Sequence, residues 1–241
     1  MKWLPLLGLL GLLVSMSAHA ADLRRSGFDT MSPALQAMQR DDSANPAMLW
    51  VKEGQVLWAQ RGCAACHGDA AASMRGVAAR YPAFDAGLQR PLSLAQKIPH
   101  AVAAGLSRDE VLSLSAFIAL QSRGQPIAPP DDVRLRPFIE RGQALFERRI
   151  GQFNLSCAQC HDERAGGRLA GSVIPQGHAT GYPLYRLEWQ ALGSLQRRLR
   201  NCMTGVRAEP YKPDASEWVE LELYLARRAA SLALDAPAVR P

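Results

Sequence analysis

The stretch Cys63-Ala64-Ala65-Cys66-His67 and its second copy, Cys157-Ala158-Gln159-Cys160-His161, decide how this sequence is interpreted. A Cys-x-x-Cys-His box is the attachment motif of c-type haem: two thiols add to the haem vinyl groups, and the adjacent histidine supplies an axial nitrogen to the iron. A single box could be a redox dithiol, but two copies in one chain argue against that. The boxes therefore predict two covalently bound haem c groups, with His67 and His161 as iron ligands.

The sequence around each box repeats as well. Residues 54–58 precede the first box as residues 142–146 precede the second, and residues 114–118 resemble residues 221–225. A helix before the box and an aromatic-bearing helix at the end, crossing beside the haem, is the layout of a small class I cytochrome c. By this analogy the predicted fold is mainly α, with two tandem class I cytochrome c-like domains in pseudo-repeat.

The repeat also predicts a division of the chain. We expect a signal peptide, an N-terminal extension with one short helix over a haem domain, a first cytochrome c domain, a Pro-rich linker, and a second cytochrome c domain that carries the active site. These segments cover, in that order, residues 1–20, 21–50, 51–124, 125–133 and 134–241.

The first twenty residues have the features of a secretory signal. Lys2 is followed by an apolar run from Trp3 to Val14, and Ala18-His19-Ala20 forms a cleavage site. This pattern predicts export to the periplasm with cleavage after Ala20; an uncleaved anchor is the alternative. The apolar run is too short for a membrane span, and no later stretch is long and apolar enough for one.

The basic residues outnumber the acidic ones and are mostly arginine. Lysine and arginine total 28 against 22 acidic residues, and only four of the 28 are lysines. Nucleic-acid binding is not indicated, because an exported haem protein has little access to nucleic acid and no basic run is interleaved with aromatics. An excess of arginine suits docking to acidic proteins or gathering oxyanions, and a solvated basic surface is the simpler alternative for most of these residues.

Cys202 is the one cysteine outside the two boxes. Leu192, Leu195, Leu199 and Cys202 recur at helical spacing with no proline between residues 186 and 202, which predicts an amphipathic helix over residues 186–202. Arg198 then shares a helix face with Cys202, so the pKa of the thiol should be low and anions should gather there. An unreactive buried cysteine or an intermolecular disulfide is the alternative.

Histidine and methionine candidates for the second axial ligand remain open on the sequence pattern alone. In the second domain they are His178 and Met203, besides Cys202, and in the first domain they are Met74 and His100. The choice matters because a filled distal position favours electron transfer and an open one favours chemistry.

The segment from Tyr185-Arg186 through Trp189-Gln190 to Arg197-Arg198 and Cys202 makes the chain similar to the SoxA family. These proteins are the catalytic cytochrome subunits of the SoxAX complex, the L-cysteine S-thiosulfotransferase of bacterial sulfur oxidation. The resemblance covers nearly the whole chain beyond residue 20. It implies that Cys202 is the distal ligand of the second haem and the active-site cysteine, carried as a persulfide. It also implies that Arg198 positions the substrate and that His161 is the proximal ligand.

The resemblance implies a reaction and a set of partners. The family joins thiosulfate to a cysteine of the carrier protein SoxYZ, and two electrons pass to an acceptor cytochrome c, usually through the small partner SoxX in a heterodimer. A two-haem periplasmic electron carrier without transferase activity is the alternative. A two-haem peroxidase is a weaker one, with His178 as its acid or base.

The chain departs from the family pattern at one position. Two-haem members carry a cysteine as distal ligand of the first haem, in a segment resembling residues 96–101. This sequence has Ala101 there, with His100 beside it. We therefore expect His100 to be the distal ligand of the first haem; Met74 or a five-coordinate iron are the alternatives. Because that haem lies in the domain without Cys202, it should be less essential to catalysis.

Overall fold

A computed structural model of the chain describes residues 22–102 and 105–241. The predicted signal peptide therefore lies outside the described residues. The described residues are mainly helical, with a few short strands. Within these two ranges no helix combines the length and the apolar character needed to cross a membrane.

The described residues of the first half form six helices and one hairpin besides short 3-10 turns. In chain order they are α1 (Pro33–Arg40), α2 (Met48–Gln60), α3 (Cys63–His67), α4 (Ala70–Ser73), β1 (Ala83–Asp85), β2 (Arg90–Leu92), α5 (Leu94–Ala101) and α6 (Arg108–Leu120). Strands β1 and β2 pair in antiparallel fashion. The core of this first domain forms where α2 packs across α6 and is closed by the buried side chains Leu57, Trp58 and Leu114.

The second half repeats this order and adds three strands. Its elements are α7 (Arg136–Glu147), α8 (Cys157–His161), β3 (Arg168–Leu169), β4 (Ser172–Val173), β5 (Leu184–Arg186), β6 (Ala191–Gly193), α9 (Leu195–Gly205), α10 (Ser216–Arg228) and β7 (Ala238–Arg240). Strand β5 is central in a three-stranded sheet, antiparallel to β6 and parallel to β7. The predicted fold class, a mainly helical pseudo-repeat of two cytochrome c-like domains, is confirmed.

One glycine in each half sets the helix crossing on which its domain is built. A Cβ atom on Gly54 of α2 would lie 2.1 Å from the carbonyl oxygen of Ser113 on α6, and one on Gly142 of α7 would lie 2.2 Å from that of Glu220 on α10. Because a side chain at either position would collide with backbone, only glycine lets these helices approach so closely. The repeated glycine in the sequence therefore marks the same crossing twice.

The N-terminal extension holds the short helix expected there. Ser32 caps α1 by accepting a hydrogen bond from the N–H of Leu35, and a proline occupies the first turn. The helix packs against β7 of the second domain, where the Gln39 side-chain oxygen accepts from the backbone N–H of Val239 at 3.1 Å.

The helix predicted over residues 186–202 is wrong in its first half. Arg186 ends strand β5, Leu192 lies in β6, and a 3-10 turn joins the two strands. Helix α9 begins only after Ser194, whose hydroxyl accepts a hydrogen bond from the N–H of Arg197. Leu192 fits the helical spacing only by coincidence, since it is buried from a strand in the core of the first domain.

The two domains meet through the hairpin of the second. Tyr185 on β5 packs its ring against Trp50 of α2, with ring centroids 5.8 Å apart, while Leu192 is buried in the first domain's core. The segment expected to be a linker also makes contacts: Ile127 is buried, and Pro126 forms a β-bridge with Ala233. The hairpin thus has one face on the first domain and the other on the second.

Candidate haem and thiol site

The second Cys-x-x-Cys-His box forms the single turn of α8. Ser156 caps this turn, and one helical turn brings Cys157, Cys160 and His161 close together. The Nδ1 atom of the His161 ring lies 2.8 Å from the carbonyl oxygen of Pro175. Such a contact fixes the orientation of an imidazole and leaves its Nε2 atom available as a metal ligand.

Cys202, on α9, lies beside the His161 imidazole. Burial alone would raise the pKa of Cys202, but the neighbouring imidazole and the positive charges of Arg198 and Arg186 outweigh it, so the pKa is lowered. The predicted partners Cys202, Arg198 and His161 are therefore brought together, on elements far apart in sequence.

Apolar side chains surround this pair. The cluster includes residues from four helices and from the loops before β5 and before α10, namely Phe146, Ala158, Tyr182, Leu195, Leu199, Tyr211, Leu221, Tyr224 and Leu225. Burial raises the pKa of the Cys157 thiol to about 11. Two thiols, one oriented imidazole and apolar walls are the set that a haem c requires, so these residues fit the group that the box predicts.

Arg186 is a site residue that the sequence reasoning did not single out. It ends β5 with its side chain only 14% exposed, and its Nε donates a 2.7 Å hydrogen bond to the Glu188 carboxylate. Its guanidinium also lies 5.4 Å from the centre of the Trp189 ring. The signal was present in the sequence, because Arg186 belongs to the segment that carries the family resemblance, but only the strand brings it beside Cys202.

The other distal candidates of the second domain lie elsewhere. The Nδ1 atom of His178 is 2.8 Å from the carbonyl oxygen of Arg25 in the N-terminal extension. Gly177, the residue before it, approaches the Cβ atom of His161, so this loop runs along the side of the box. Met203 is buried one position after Cys202, where it lines a cavity of about 450 Å³ together with Arg148 and Tyr211.

The first box has an equivalent setting without a facing thiol. Cys63, Cys66 and His67 form α3, and the His67 ring lies 5.7 Å from that of Trp58. Met74 is buried in the apolar cluster against which Cys63 packs. These thiols, the imidazole and the apolar walls also fit a haem c.

Helix α5 places the remaining candidate of the first domain. His100 is exposed near the end of the helix, beside Ala101. Helices α5 and α9 each begin directly after a serine N-cap that follows a hairpin. Counted from the first residue of each helix, Ala101 is at the position equivalent to that of Cys202.

Two haem attachment boxes, each on a short helix beside a pair of crossing helices, define a two-domain c-type cytochrome. The family model described as the SoxA/TsdA cytochrome c domain matches residues 49–127 and 141–234. The chain belongs to this family, as its resemblance predicted, and membership implies covalently bound haem c.

Individual proteins to which the chain is similar include SoxA subunits. The chain is 33% identical over 236 residues to the L-cysteine S-thiosulfotransferase subunit SoxA of Pseudaminobacter salicylatoxidans, covering 92% of this chain and 82% of the relative. It is 30% identical to the subunit of the same name from Rhodovulum sulfidophilum, with 92% and 83% covered. A solved structure, SoxXA from P. pantotrophus, superimposes with a TM-score of 0.84 at 29% identity over 90% of this chain and 87% of that one.

Proposed function

We propose that this chain is the catalytic cytochrome subunit of an L-cysteine S-thiosulfotransferase. It joins thiosulfate to a cysteine of the carrier protein SoxYZ and passes two electrons to an acceptor cytochrome c. The observation that carries the proposal is that Cys202 lies beside His161, with the positive charges of Arg198 and Arg186 near it. The relatives that match this chain over most of their own length are named L-cysteine S-thiosulfotransferase subunit SoxA, and these names support the same reaction.

The reaction is a two-electron oxidation. An S–S bond forms between the outer sulfur of thiosulfate and the carrier's cysteine sulfur, and the carrier's S–H bond breaks. The proton goes to solvent, and the two electrons leave to the acceptor cytochrome. Haem c, when bound, supplies one-electron transfer at this position. Because each such centre takes one electron at a time, a second haem in the complex has an evident use.

The chain's own residues have separate roles in this proposal. Cys63, Cys66 and His67 hold one haem c, and the second box, residues 157–161, holds another with His161 as proximal ligand. Cys202 is the distal ligand of the second haem and the active-site cysteine, and it carries a persulfide sulfur. Arg198, one helical turn before Cys202, provides positive charge for the thiosulfate dianion.

The partners and location follow from the same proposal. SoxX forms a heterodimer with this chain, SoxYZ is the protein substrate, and the complex works in the periplasm after removal of residues 1–20. The structural similarity to SoxXA supports the first of these partners.

His100 is the proposed distal ligand of the first haem. Its position supports this role, because His100 directly precedes Ala101, the counterpart of Cys202. Met74 is the competing ligand because it is buried near Cys63. Electron paramagnetic resonance of His100→Ala and Met74→Leu variants separates them, since only loss of the true ligand changes the signal of the first haem.

The proposed function is tested with the mature protein in complex with SoxX. Intact mass should show two haem additions and, on the Cys202 peptide, one extra sulfur atom. Incubation with thiosulfate, SoxYZ and oxidised acceptor should add one thiosulfate group to the carrier's cysteine, and Cys202→Ala should abolish this. The matched control is Met203→Leu, which changes the next, buried residue at similar volume. Full activity in Cys202→Ala would show that Cys202 is not the active-site cysteine, and a wild-type complex that transfers no thiosulfate would leave the plain electron carrier as the function.

A further inference from the structure

The hairpin and helix that carry the thiol site occur twice in the molecule. Strands β1 and β2 pair Ala83 with Leu92, and strands β5 and β6 pair Leu184 with Gly193, in the same register. A serine then caps α5 in the first domain and α9 in the second. Every residue of the second unit carries a number 101 higher than its counterpart, so charged positions can be compared one by one.

The two units differ in charge at one pair of positions. In the first domain Lys97 and Asp85 form a salt bridge, with Nζ 2.8 Å from Oδ2. Their counterparts in the second domain are Arg198 and Arg186. We call these two residues the arginine pair. A neutral ion pair in one domain is thus replaced by two positive charges in the other, on strands and helices of the same register.

A tyrosine before each hairpin shows that the two pairs occupy similar surroundings. Burial raises the pKa of Tyr81, which lies within electrostatic reach of the salt bridge. Burial raises the pKa of Tyr182 to about 12, and this ring lies within reach of both members of the arginine pair and of Cys202. The arginine pair therefore faces the interior of the thiol site.

The arginine pair is only partly neutralised by protein groups. Arg186 is bonded through Nε to Glu188, a carboxylate whose side chain is 64% exposed. The guanidinium of Arg198 makes no salt bridge or side-chain hydrogen bond to any residue in the ranges that the structure describes. Two like charges at positions that bring Lys97 and Asp85 into contact repel one another, and the repulsion is relieved when an anion lies between them.

We propose that the arginine pair is a two-sided cradle for the sulfonate group of thiosulfate, with Arg186 as a second substrate-binding residue beside Arg198. The sulfonate takes the place that the Asp85 carboxylate has in the first domain. This inference rests on the proposed function and assigns its anion subsite. Planar guanidinium groups bond sulfonate oxygens in pairs, and Glu188 leaves the terminal nitrogens of Arg186 free for them. Because Arg198 lies one turn before Cys202, the outer sulfur of the substrate then points toward the thiol.

The first test compares Arg186→Gln with Arg200→Gln in the complete complex. Arg200 is an exposed residue on the same helix as Cys202, so its loss removes equal charge without touching the cradle. We expect Arg186→Gln to raise the KM for thiosulfate about 10- to 100-fold with kcat little changed, because it removes charge-assisted hydrogen bonds to bound substrate. The inhibition constant of sulfate, which resembles the sulfonate end, should rise in parallel. Equal KM values for thiosulfate and equal inhibition constants for sulfate in Arg186→Gln and Arg200→Gln would overturn the proposal.

The second test rebuilds the first domain's arrangement in the second. Arg186→Asp should pair with Arg198 as Asp85 pairs with Lys97, so the variant should keep its melting temperature and its haem spectrum while losing thiosulfate binding at least as fully as Arg186→Gln. A variant that stays folded and retains the wild-type KM overturns the cradle. If Arg186→Asp does not fold, Arg186→Lys decides the question. Lysine keeps the positive charge but lacks the planar guanidinium, so the KM for thiosulfate should lie between the values of the wild type and Arg186→Gln.

The two hypotheses fail in different ways. If the wild-type complex transfers no thiosulfate to SoxYZ, the proposed function is wrong. If the wild-type complex is active and sulfate inhibits Arg186→Gln and Arg200→Gln equally, the function stands and the cradle alone is wrong.

Discussion

The two cytochrome domains share one scaffold and differ in what it presents to the haem site. The first domain closes a salt bridge between Asp85 and Lys97 and has Ala101 at the end of the helix, whereas the second has the arginine pair and Cys202 at the matching positions. At these positions the same fold is neutral and lacks a thiol in one copy, and is positive with a thiol in the other. In the proposed function, the reactivity of the second domain belongs to these three side chains rather than to the fold.

The shared scaffold makes the first domain an internal control for the second. Both have a glycine at the helix crossing, a helix-borne haem box, and a hairpin that leads into a capped helix. A change at equivalent positions therefore meets nearly the same backbone in both domains. The predictions below use this pairing, beginning with the largest effect.

Exchanging the thiol between the domains should have the largest effect. Cys202→Ala should lower thiosulfate turnover about a thousandfold or more, because the group that bonds to sulfur is lost. Adding Ala101→Cys to that variant should place a thiol in the first domain without restoring turnover, since Asp85 neutralises the cation beside it. Turnover with SoxYZ measures both effects. Recovery of activity in the double variant would show that the arginine pair is not required.

The sequence predicted the repeated parts of the molecule well and the site only in part. The haem boxes, the short helix of the N-terminal extension and the helix before each box are local patterns, and the structure has all of them. Cys202 and Arg198 were found because they share one helix face. Local patterns of this kind can be recognised without knowledge of the fold.

Arg186 and the hairpin were missed for a physical reason. Leu192 falls at helical spacing from the leucines of α9, so periodicity extended the helix across a strand pair whose backbone hydrogen bonds are not local. The charge comparison with Asp85 needs the strand register, because the two copies of the hairpin have little sequence in common. Tertiary pairing, and not residue type, brings Arg186 to the site.

Alanine at the helix crossings should give the next largest effect. Gly142→Ala and Gly54→Ala should each lower the free energy of unfolding by about 2–3 kcal/mol, because the new Cβ atom meets backbone and the helices must separate. Only Gly142→Ala should also lower thiosulfate turnover, since its crossing supports the thiol site. Urea unfolding followed by circular dichroism measures stability, and Gly171→Ala, which adds a Cβ into open space, is the control. Equal losses of turnover would show that the domains are energetically coupled.

A half-buried carboxyl should give the second domain a pH dependence that the first lacks. Burial raises the pKa of Glu222 on α10 to about 7 from its usual 4.5. Ser115, its counterpart counted from the helix crossings, instead donates a 2.7 Å hydrogen bond to the carbonyl oxygen of Val111. Because the folded state holds the Glu222 proton more tightly than the unfolded state, stability should fall as the pH rises from 4.5 to 7.

Glu222→Gln should remove that dependence. At about pH 8 the variant should be more stable than the wild type by roughly 2 kcal/mol, less than full burial would give because the residue is only partly shielded from solvent. Urea unfolding at several pH values measures the difference, with Glu209→Gln at an exposed position as control. A variant that follows the wild-type pH profile would show that the Glu222 carboxyl is ionised in the folded protein.

The salt bridge of the first domain should give the smallest effect. The hydrogen bond from Lys97, together with those from the backbone N–H groups of Leu88 and Gly87, holds the pKa of Asp85 below its usual 3.8. Its contribution to stability is therefore present above pH 3.8 and is lost as the pH falls through the lower folded-state pKa. Because the Lys97 side chain is 44% exposed, solvent screens the pair and the contribution is small.

Asp85→Asn gives the sharpest form of the comparison between the domains. It leaves Lys97 as an uncompensated cation and so brings the first domain closer to the charge of the second. We expect the melting temperature at neutral pH to fall by about one or two degrees, with the difference from the wild type vanishing as the pH falls below the lowered pKa of Asp85, as thermal melting over a pH series would record. The KM for thiosulfate should not change, because no thiol lies at Ala101 to use a bound anion. A changed KM would mean that the first domain also binds substrate, and the division of roles between the domains would then be wrong.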